Sequence, residues 1–327
     1  MIKKYLRQVQ AGEDLSFEQA VRLAEGTSPT ELYNGADELR QSIHGNTFDL
    51  CSIVNARSGR CSENCKFCAQ SSHYDVDVTT YDIVSGETAL KMALQNEEQG
   101  VRRFSLVTAG RSVSHSLLDE IETIYQLLEE KTGMLFCASM GFLTREKAAR
   151  LRAMGVQRYH CNLETCRSFF KEVCTTHSWE EKVETIRIAR GAGMDICSGG
   201  IIGMGESLEQ RLELAFELRD LGILSIPINI LTPIANTPFS HLPPLGVGEV
   251  LTTIAMFRFI NPRAVIRLAG GRNLLGDQQD RCFMSGANGA IVGDYLTTVG
   301  NSLKEDVRMV KGLGFDIDGK EQDECIG

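Results

Sequence analysis

Three cysteines, Cys61, Cys65 and Cys68, stand at C-x3-C-x2-C spacing in the stretch RCSENCKFCAQSSHY. Thiolates this close converge on one iron–sulfur cube when the segment loops around it. A cube has four irons, so three ligands leave one iron open to a small molecule. A zinc site is the plainer alternative. Zinc asks for a fourth nitrogen or sulfur donor, and His73 is near enough in sequence to serve. The chain holds eleven cysteines, an odd number. Its first residues, MIKKYLRQVQAGEDLSFEQA, are charged and helix-like, with no apolar run for secretion. A disulfide framework is therefore not expected. Reducing surroundings and metal ligation or catalysis are, with about half of the cysteines serving as small buried hydrophobes.

Short apolar or β-branched runs alternate with helix-period runs along the chain. Expected strands are Leu50–Asn55, Arg103–Val107, Leu135–Ser139, Tyr159–Leu163, Asp195–Gly199, Ser225–Ile230, Ala264–Leu268 and Ala290–Val292. Between them, Leu117, Leu118, Ile121, Ile124, Tyr125 and Leu128 share one helical face. Ser207 and Gln210 form a capping-box pattern that opens a helix over Leu208–Leu221. Eight strands alternating with helices predict an α/β fold, a (β/α)8 TIM-type barrel, with an open doubly wound sheet as the alternative. Ligands of such a barrel sit at the C-terminal strand ends, so the segments just after each strand are the candidate site. Residues 1–49 read as an N-terminal helical cap, 50–315 as the barrel and 316–327 as an acidic tail.

The net charge of −9 argues against nucleic acid or an anionic membrane as the main partner. An apolar fraction of 43% suffices for a large core, and no apolar run is long enough to span a bilayer. A cytoplasmic setting is expected.

The cysteine spacing directly after a first strand resembles the radical SAM superfamily, whose open iron chelates S-adenosylmethionine (SAM). The stretches CSGGIIGMGES, IPINIL, VIRLAGGR and CFMSGANGAIVGDYLTT are similar to those of the biotin synthase family within it, and the resemblance runs from about Phe48 to Leu313. It implies a [4Fe–4S] cluster on Cys61, Cys65 and Cys68. It also implies sulfur insertion into dethiobiotin, with 5′-deoxyadenosyl radicals taking hydrogen from C9 and then C6. Neither C–H bond is acidic, so no side-chain acid or base is expected to be catalytic. By the same resemblance Phe67 packs near the adenine, Thr108, Ala109 and Gly110 touch the methionyl amine, and Glu164 binds the ribose. The adenine strand runs over Gly200, Ile201, Ile202 and Gly203, and Lys182 stands where relatives often carry an arginine near SAM. Asn162 and Asn229 match the asparagines on the ureido ring, whose carbonyl and N–H groups suit an amide. Thr297 and Thr298 match positions near the substrate carboxylate. A flavodoxin or ferredoxin donor and a homodimer are further implications.

The inserted sulfur comes, in that family, from an auxiliary cluster. Cys137 and Cys197 match two of its cysteines and Arg267 its arginine, but the third cysteine position holds Ser105. Serine is a poor iron ligand, which puts an ordinary [2Fe–2S] site in doubt. We expect a variant auxiliary cluster, [4Fe–4S]-like with [2Fe–2S] as the alternative, held by Cys137, Cys197 and at least one residue near the fourth strand. Cys161 lies at the right depth, although alternation with Asn162 and Glu164 turns it outward unless a bulge intervenes. His160 has the inward phase and could ligate or touch substrate. Cys166 and Cys174 read as lying too near the barrel mouth, Cys51 and Cys282 as packing, and Cys325 as exposed. Two other functions fit the first cluster: a hydrogenase-maturation or methylornithine-synthase type of enzyme, and a non-catalytic iron–sulfur carrier.

Overall fold

A computed structural model describes residues 1–293 and 302–317. Nine parallel strands form its sheet: β1 (Asp49–Arg57), β2 (Arg103–Thr108), β3 (Leu135–Ser139), β4 (Val156–His160), β5 (Asp195–Cys197), β6 (Gly200–Ile202), β7 (Ser225–Ile230), β8 (Val265–Leu268) and β9 (Gly289–Val292). β1 pairs with both β2 and β9, and Cys197 of β5 pairs with Ser225 of β7. The ring is thereby closed as an eight-stranded parallel barrel, with β6 continuing the line of β5. The expected barrel is present. Four strands differ from the expected bounds by one or two residues at an end; the fourth begins and ends three residues earlier, and the fifth stops at Cys197, with Ser198 and Gly199 separating it from β6.

The interruption has a steric cause. Pro227 of β7 faces this point and has no N–H to give the ladder. A Cβ on Gly199 would lie 1.9 Å from the Pro227 carbonyl oxygen, so only glycine lets the two backbones pass.

On β1 half-buried and buried residues alternate. Leu50, Val54 and Ala56 pack outward into the core, while Cys51 and Ile53 line the barrel cavity. The helices are α1 (Ile2–Gln10), α2 (Phe17–Gly26), α3 (Pro29–His44), α4 (Gly86–Glu97), α5 (His115–Lys131), α6 (Arg145–Ala153), α7 (Phe170–Val173), α8 (Trp179–Gly191), α9 (Leu208–Asp220), α10 (Val247–Ile260), α11 (Gln279–Phe283) and α12 (Leu303–Gly312). Five that follow strands start on a side-chain cap: Ser85, Ser114, Thr144, Ser178 and Ser207 accept from Thr88, Leu117, Lys147, Glu181 and Gln210 N–H. Each cap contributes about 1 kcal/mol and marks where the chain turns from the barrel mouth into a helix. The expected capping box at Ser207 is formed, and the expected apolar face of α5 is buried.

α1–α3 pack on one another and on α9 and α10. The Leu15 carbonyl accepts from Arg219, and His44 bonds the Pro262 carbonyl, both at the ends of those helices. Residues 1–44 therefore pack against α9 and α10, with side-chain bonds near the C-terminal ends of those two helices. No helix among the described residues is long and apolar enough to cross a membrane.

Candidate active site

One cavity of about 410 Å³ runs down the barrel. Cys61, Cys65 and Cys68 line its mouth, and Cys51, Cys137, Cys197 and Arg267 line its floor. Thr108, Ala109, Gly110, Glu164, Lys182, Asn162, Asn229, His160 and Phe67 line the wall between. Thr297 and Thr298 lie outside the described residues.

The mouth is a loop curled by its own hydrogen bonds. Cys61 N–H donates to the Gln70 carbonyl (2.9 Å), Ser72 N–H to Cys61 O (2.8 Å) and Cys68 N–H to Cys65 O (3.0 Å). Ser71 Oγ donates to Glu63 O (2.7 Å), and the Gln70 amide oxygen accepts from Gly59 N–H (2.9 Å). The three sulfurs stay half-buried at the cavity's edge. Thiol donors alone, open on one side, are the donor set a cube with one free iron requires. His73 turns one ring nitrogen to the Ser62 carbonyl, 3.0 Å away, so that nitrogen is engaged outside the cysteine set.

The SAM candidates form the next layer. Glu164 has φ +69°, a left-handed conformation uncommon for glutamate. It is held there by Gly200: Ile201 N–H donates to Glu164 O (2.7 Å), and Glu164 N–H approaches Gly199 O (3.3 Å). Lys182 Nζ sits 3.1 Å from Glu164 Oε1, with both side chains largely buried. Burial alone would push the Lys182 ammonium down, but the Glu164 carboxylate outweighs it and keeps the lysine charged. Thr108 Oγ1 is buried with no protein partner, a polar atom left for a ligand. Ile202 is the exception in this group. Its side chain is buried in the core, and its neighbour Ile201 lines the cavity. Ile202 offers only backbone, and its carbonyl already accepts from Leu231 N–H (2.9 Å).

Asn229 is pinned at both ends of its amide, donating to Gly200 O (3.1 Å) and accepting from Gly270 N–H (2.9 Å). Asn162 accepts from Gly199 N–H (3.0 Å), which leaves its amide nitrogen for a ligand. The break between β5 and β6 thus supplies the backbone groups that orient both asparagines.

On the floor, Cys137 of β3 and Cys51 of β1 line the same cavity. The neighbouring Cys51, with Arg103, Arg158 and Arg267, holds the Cys137 thiol below its ordinary range against the opposing effect of burial. His160 and Cys197 are cross-strand partners in register, and both line the cavity. Burial would raise Cys197, but the imidazole, Arg267 and Ser225 bring it down to about 7. Ser105, paired with Cys137, has a buried hydroxyl without a partner. Cys137 and Cys197 are shifted down, while Cys51 is shifted up by Cys137 beside it and by burial; three thiols around an orphaned hydroxyl fit a metal cluster better than an apolar core. Arg267 is committed elsewhere: Nε and Nη2 donate to Asp49 Oδ1 (2.9 and 2.6 Å) and Nη1 to Ser225. Gly289 leaves room for it, since a Cβ there would lie 2.8 Å from Arg267 Cγ.

Cys161 touches the cavity wall, but its sulfur faces the Lys182 carbonyl oxygen at 4.0 Å, in the core. The register of β4 against β3 shifts between Val156 and Arg158, but this does not turn the Cys161 sulfur away from the Lys182 carbonyl. Cys166 is fully buried beside Ser168, away from the cavity. Two residues were missed. Cys51 reaches the floor because the half-buried face of β1 is the inner one, an alternation visible in the sequence without its direction. Cys174 sits 3.7 Å from Cys65, sulfur to sulfur; nothing in the sequence signals that contact across 109 positions.

Residues 56–218 match the model of the Radical SAM superfamily, and residues 227–316 that of the Biotin and Thiamin Synthesis associated domain. A biotin synthase from Desulfotalea psychrophila is 58% identical over 98% of this chain and 97% of its own length. One from Acetivibrio thermocellus is 49% identical over 94% and 96%. Among solved structures, a methylornithine synthase superposes with a TM-score of 0.82 at 17% identity, covering 95% of this chain and 96% of its own. An FeFe-hydrogenase maturase from Carboxydothermus hydrogenoformans gives 0.80 at 20%, covering 96% and 78%. The structural likenesses show a shared barrel; near-full-length identity is with the biotin synthases.

Proposed function

The chain belongs to the biotin synthase family, and from that premise we propose how its own residues serve the reaction. It is a radical SAM enzyme acting on dethiobiotin to give biotin. The maturase and methylornithine-synthase alternatives share only the fold. The carrier alternative leaves the second half of the chain unexplained, because residues 227–316 match the biotin and thiamin synthesis domain.

The observation that carries the mechanistic reading is one cavity with cysteines at both ends and two oriented asparagines between them. Cys61, Cys65 and Cys68 would hold the [4Fe–4S] cluster at the mouth, and Cys137, Cys197 and Cys51 an auxiliary cluster at the floor. When bound, the mouth cluster and SAM supply the radical that abstracts hydrogen from C9 and C6. Glu164 accepts the ribose hydroxyls, with Lys182 holding its carboxylate in place. Thr108 offers its orphaned hydroxyl to the methionyl group. Asn162 donates its free amide hydrogen to the ureido carbonyl. Asn229 holds the ring from the opposite strand through the lone pair and hydrogen it has left. A ring held by these two asparagines would lie between the mouth cysteines and the floor cysteines of the one cavity. The buried wall keeps water from quenching the radical.

The floor cluster is a variant of the family's. Cys51, from the strand next to β2, takes the place of the missing thiolate at Ser105. His160, the cross-strand partner of Cys197, is the donor from the fourth strand. Arg267, with every nitrogen engaged, acts as a fixed cation that offsets thiolate charge and does not ligate. Cys161 is left out of the set. The cluster is read as four-iron, supported by four donors around the floor. Iron and sulfide analysis with Mössbauer spectra tests this; an ordinary [2Fe–2S] signal, or only four irons per chain, overturns it. The functional test is anaerobic reconstitution with SAM, dethiobiotin and reductant, reading biotin and 5′-deoxyadenosine. A cytoplasmic setting, a flavodoxin or ferredoxin donor and a homodimer complete the reading. Ten free thiols among the described residues support the reducing compartment.

A further inference from the structure

We propose that Cys174 tunes the mouth cluster through a hydrogen bond to the sulfur of Cys65, and that His177 and Glu63 aim it. The inference rests on the reading of Cys65 as a cluster ligand.

Cys174 is buried, yet its surroundings are not those of a packing cysteine. Its sulfur lies 3.7 Å from Cys65 Sγ, 3.3 Å from His177 Nδ1, 3.3 Å from Asn64 Oδ1 and 3.4 Å from Thr176 Oγ1. Its place beside Cys65 is set by backbone. Asn64 and Lys66, the two chain neighbours of Cys65, are both tied to the segment around Cys174. Asn64 N–H donates to Thr176 Oγ1 (3.1 Å), Asn64 Oδ1 accepts from Thr175 and Thr176 N–H (3.0 and 3.2 Å), and Lys66 N–H donates to Val173 O (3.0 Å). Neither sulfur can leave the other without breaking this seam.

The partners also set the direction of the bond. His177 is boxed between Phe142 and Phe170, with ring centroids at 5.2 and 5.6 Å. Its Nδ1 is hydrogen-bonded to the Glu63 carboxylate. A carboxylate only accepts, so Nδ1 carries the hydrogen and has no lone pair for the Cys174 thiol. Asn64 Oδ1 is already occupied by two backbone N–H groups. Thr176 Oγ1 already accepts from Asn64 N–H and donates to the Glu63 carboxylate. Of the acceptors in reach, Asn64 Oδ1 and Thr176 Oγ1 included, an iron-bound Cys65 thiolate would be the strongest for the Cys174 hydrogen. A donor on a cluster thiolate withdraws negative charge and favours the reduced cluster, which raises its potential and eases electron entry.

The test is a potentiometric titration of reconstituted full-length enzyme, following the reduced-cluster EPR signal that changes when SAM is added. C174A is expected to keep the spin count and shift the midpoint potential to more negative values. C174S, which keeps a donor, is expected to stay near the parent. H177A, which loses the aim but not the thiol, should shift the same way by less. An unchanged midpoint in C174A overturns the proposal. So does loss of spin count in both Cys174 variants, since Cys65 Sγ, Cys174 Sγ and a His177 nitrogen lie within 4.8 Å and could themselves ligate. If C174A alone loses its cluster, an unshifted H177A overturns it. C65A separates the underlying reading: a SAM-responsive signal surviving there means that the ligand assignment has failed, not the hydrogen bond alone.

Discussion

The two ends of the cavity are built in opposite ways. The mouth takes its three thiols from eight consecutive residues, and local hydrogen bonds curl them into place. The floor takes its groups from β1, β3, β4, β5 and β8, each strand giving one or two. The mouth is stiffened from outside by polar contacts to the segment near Cys174. The floor is stiffened by the barrel itself, with Arg267 tied to Asp49 across two strands. A loop site can be made or lost with one short segment. A barrel-floor site changes one strand at a time, so the proposed substitution of Cys51 for a thiolate missing at Ser105 needs no other strand to change.

Substitutions at the two ends sharpen this contrast, and the largest effect separates them outright. C65A is expected to abolish both 5′-deoxyadenosine and biotin. C137A or C197A should keep SAM cleavage and abolish biotin. Product analysis by mass spectrometry decides; a floor variant that loses both activities while staying folded would merge the two ends into one site. Next, C51A should lose auxiliary iron and lower biotin formation at least about tenfold, equivalent to about 1.4 kcal/mol. Unchanged iron content returns Cys51 to packing.

A third measurement concerns the layer between. E164Q keeps the shape of the side chain but weakens both the ribose contact and the hold on Lys182. KM for SAM should rise about tenfold, the loss of about one charge-assisted hydrogen bond. An unaltered KM removes Glu164 from the SAM site. C161A should leave iron and activity intact and cost about 1 kcal/mol of stability, as for a small buried hydrophobe. Loss of iron there would give the floor a ligand that the structure turns away.

The smallest effect is expected on the support behind the mouth. Glu217 accepts from Arg167 N–H, beside Ser168 on Glu213. Burial, with Glu213 adding, raises its carboxyl to about 7. A raised carboxyl pKa costs stability as pH climbs from the ordinary carboxylate range through 7, because the folded chain resists ionisation. E217Q should therefore match the parent near pH 5 and melt slightly higher at pH 8. The gain stays under about 1 kcal/mol for a half-exposed group. Equal melting temperatures at both values would show that Glu217 carries no such strain.

The sequence by itself determined the barrel, the cluster loop and the order of the layers. These are local facts: period-two and helical runs, helix caps, and three thiols within one turn of chain. It also exposed the gap at Ser105, because a missing ligand is visible wherever its neighbours match. It left open which face of β1 points inward, since both faces carry apolar residues, and so Cys51 read as core. It placed Cys161 by alternation but could not exclude a bulge. It put Cys174 near the barrel mouth, but not against Cys65. Its contact with Cys65 exists only because Asn64 and Lys66 bond to a segment more than a hundred residues away. What the tertiary structure decided was which side chains share the cavity, because that depends on barrel closure, which no local pattern encodes.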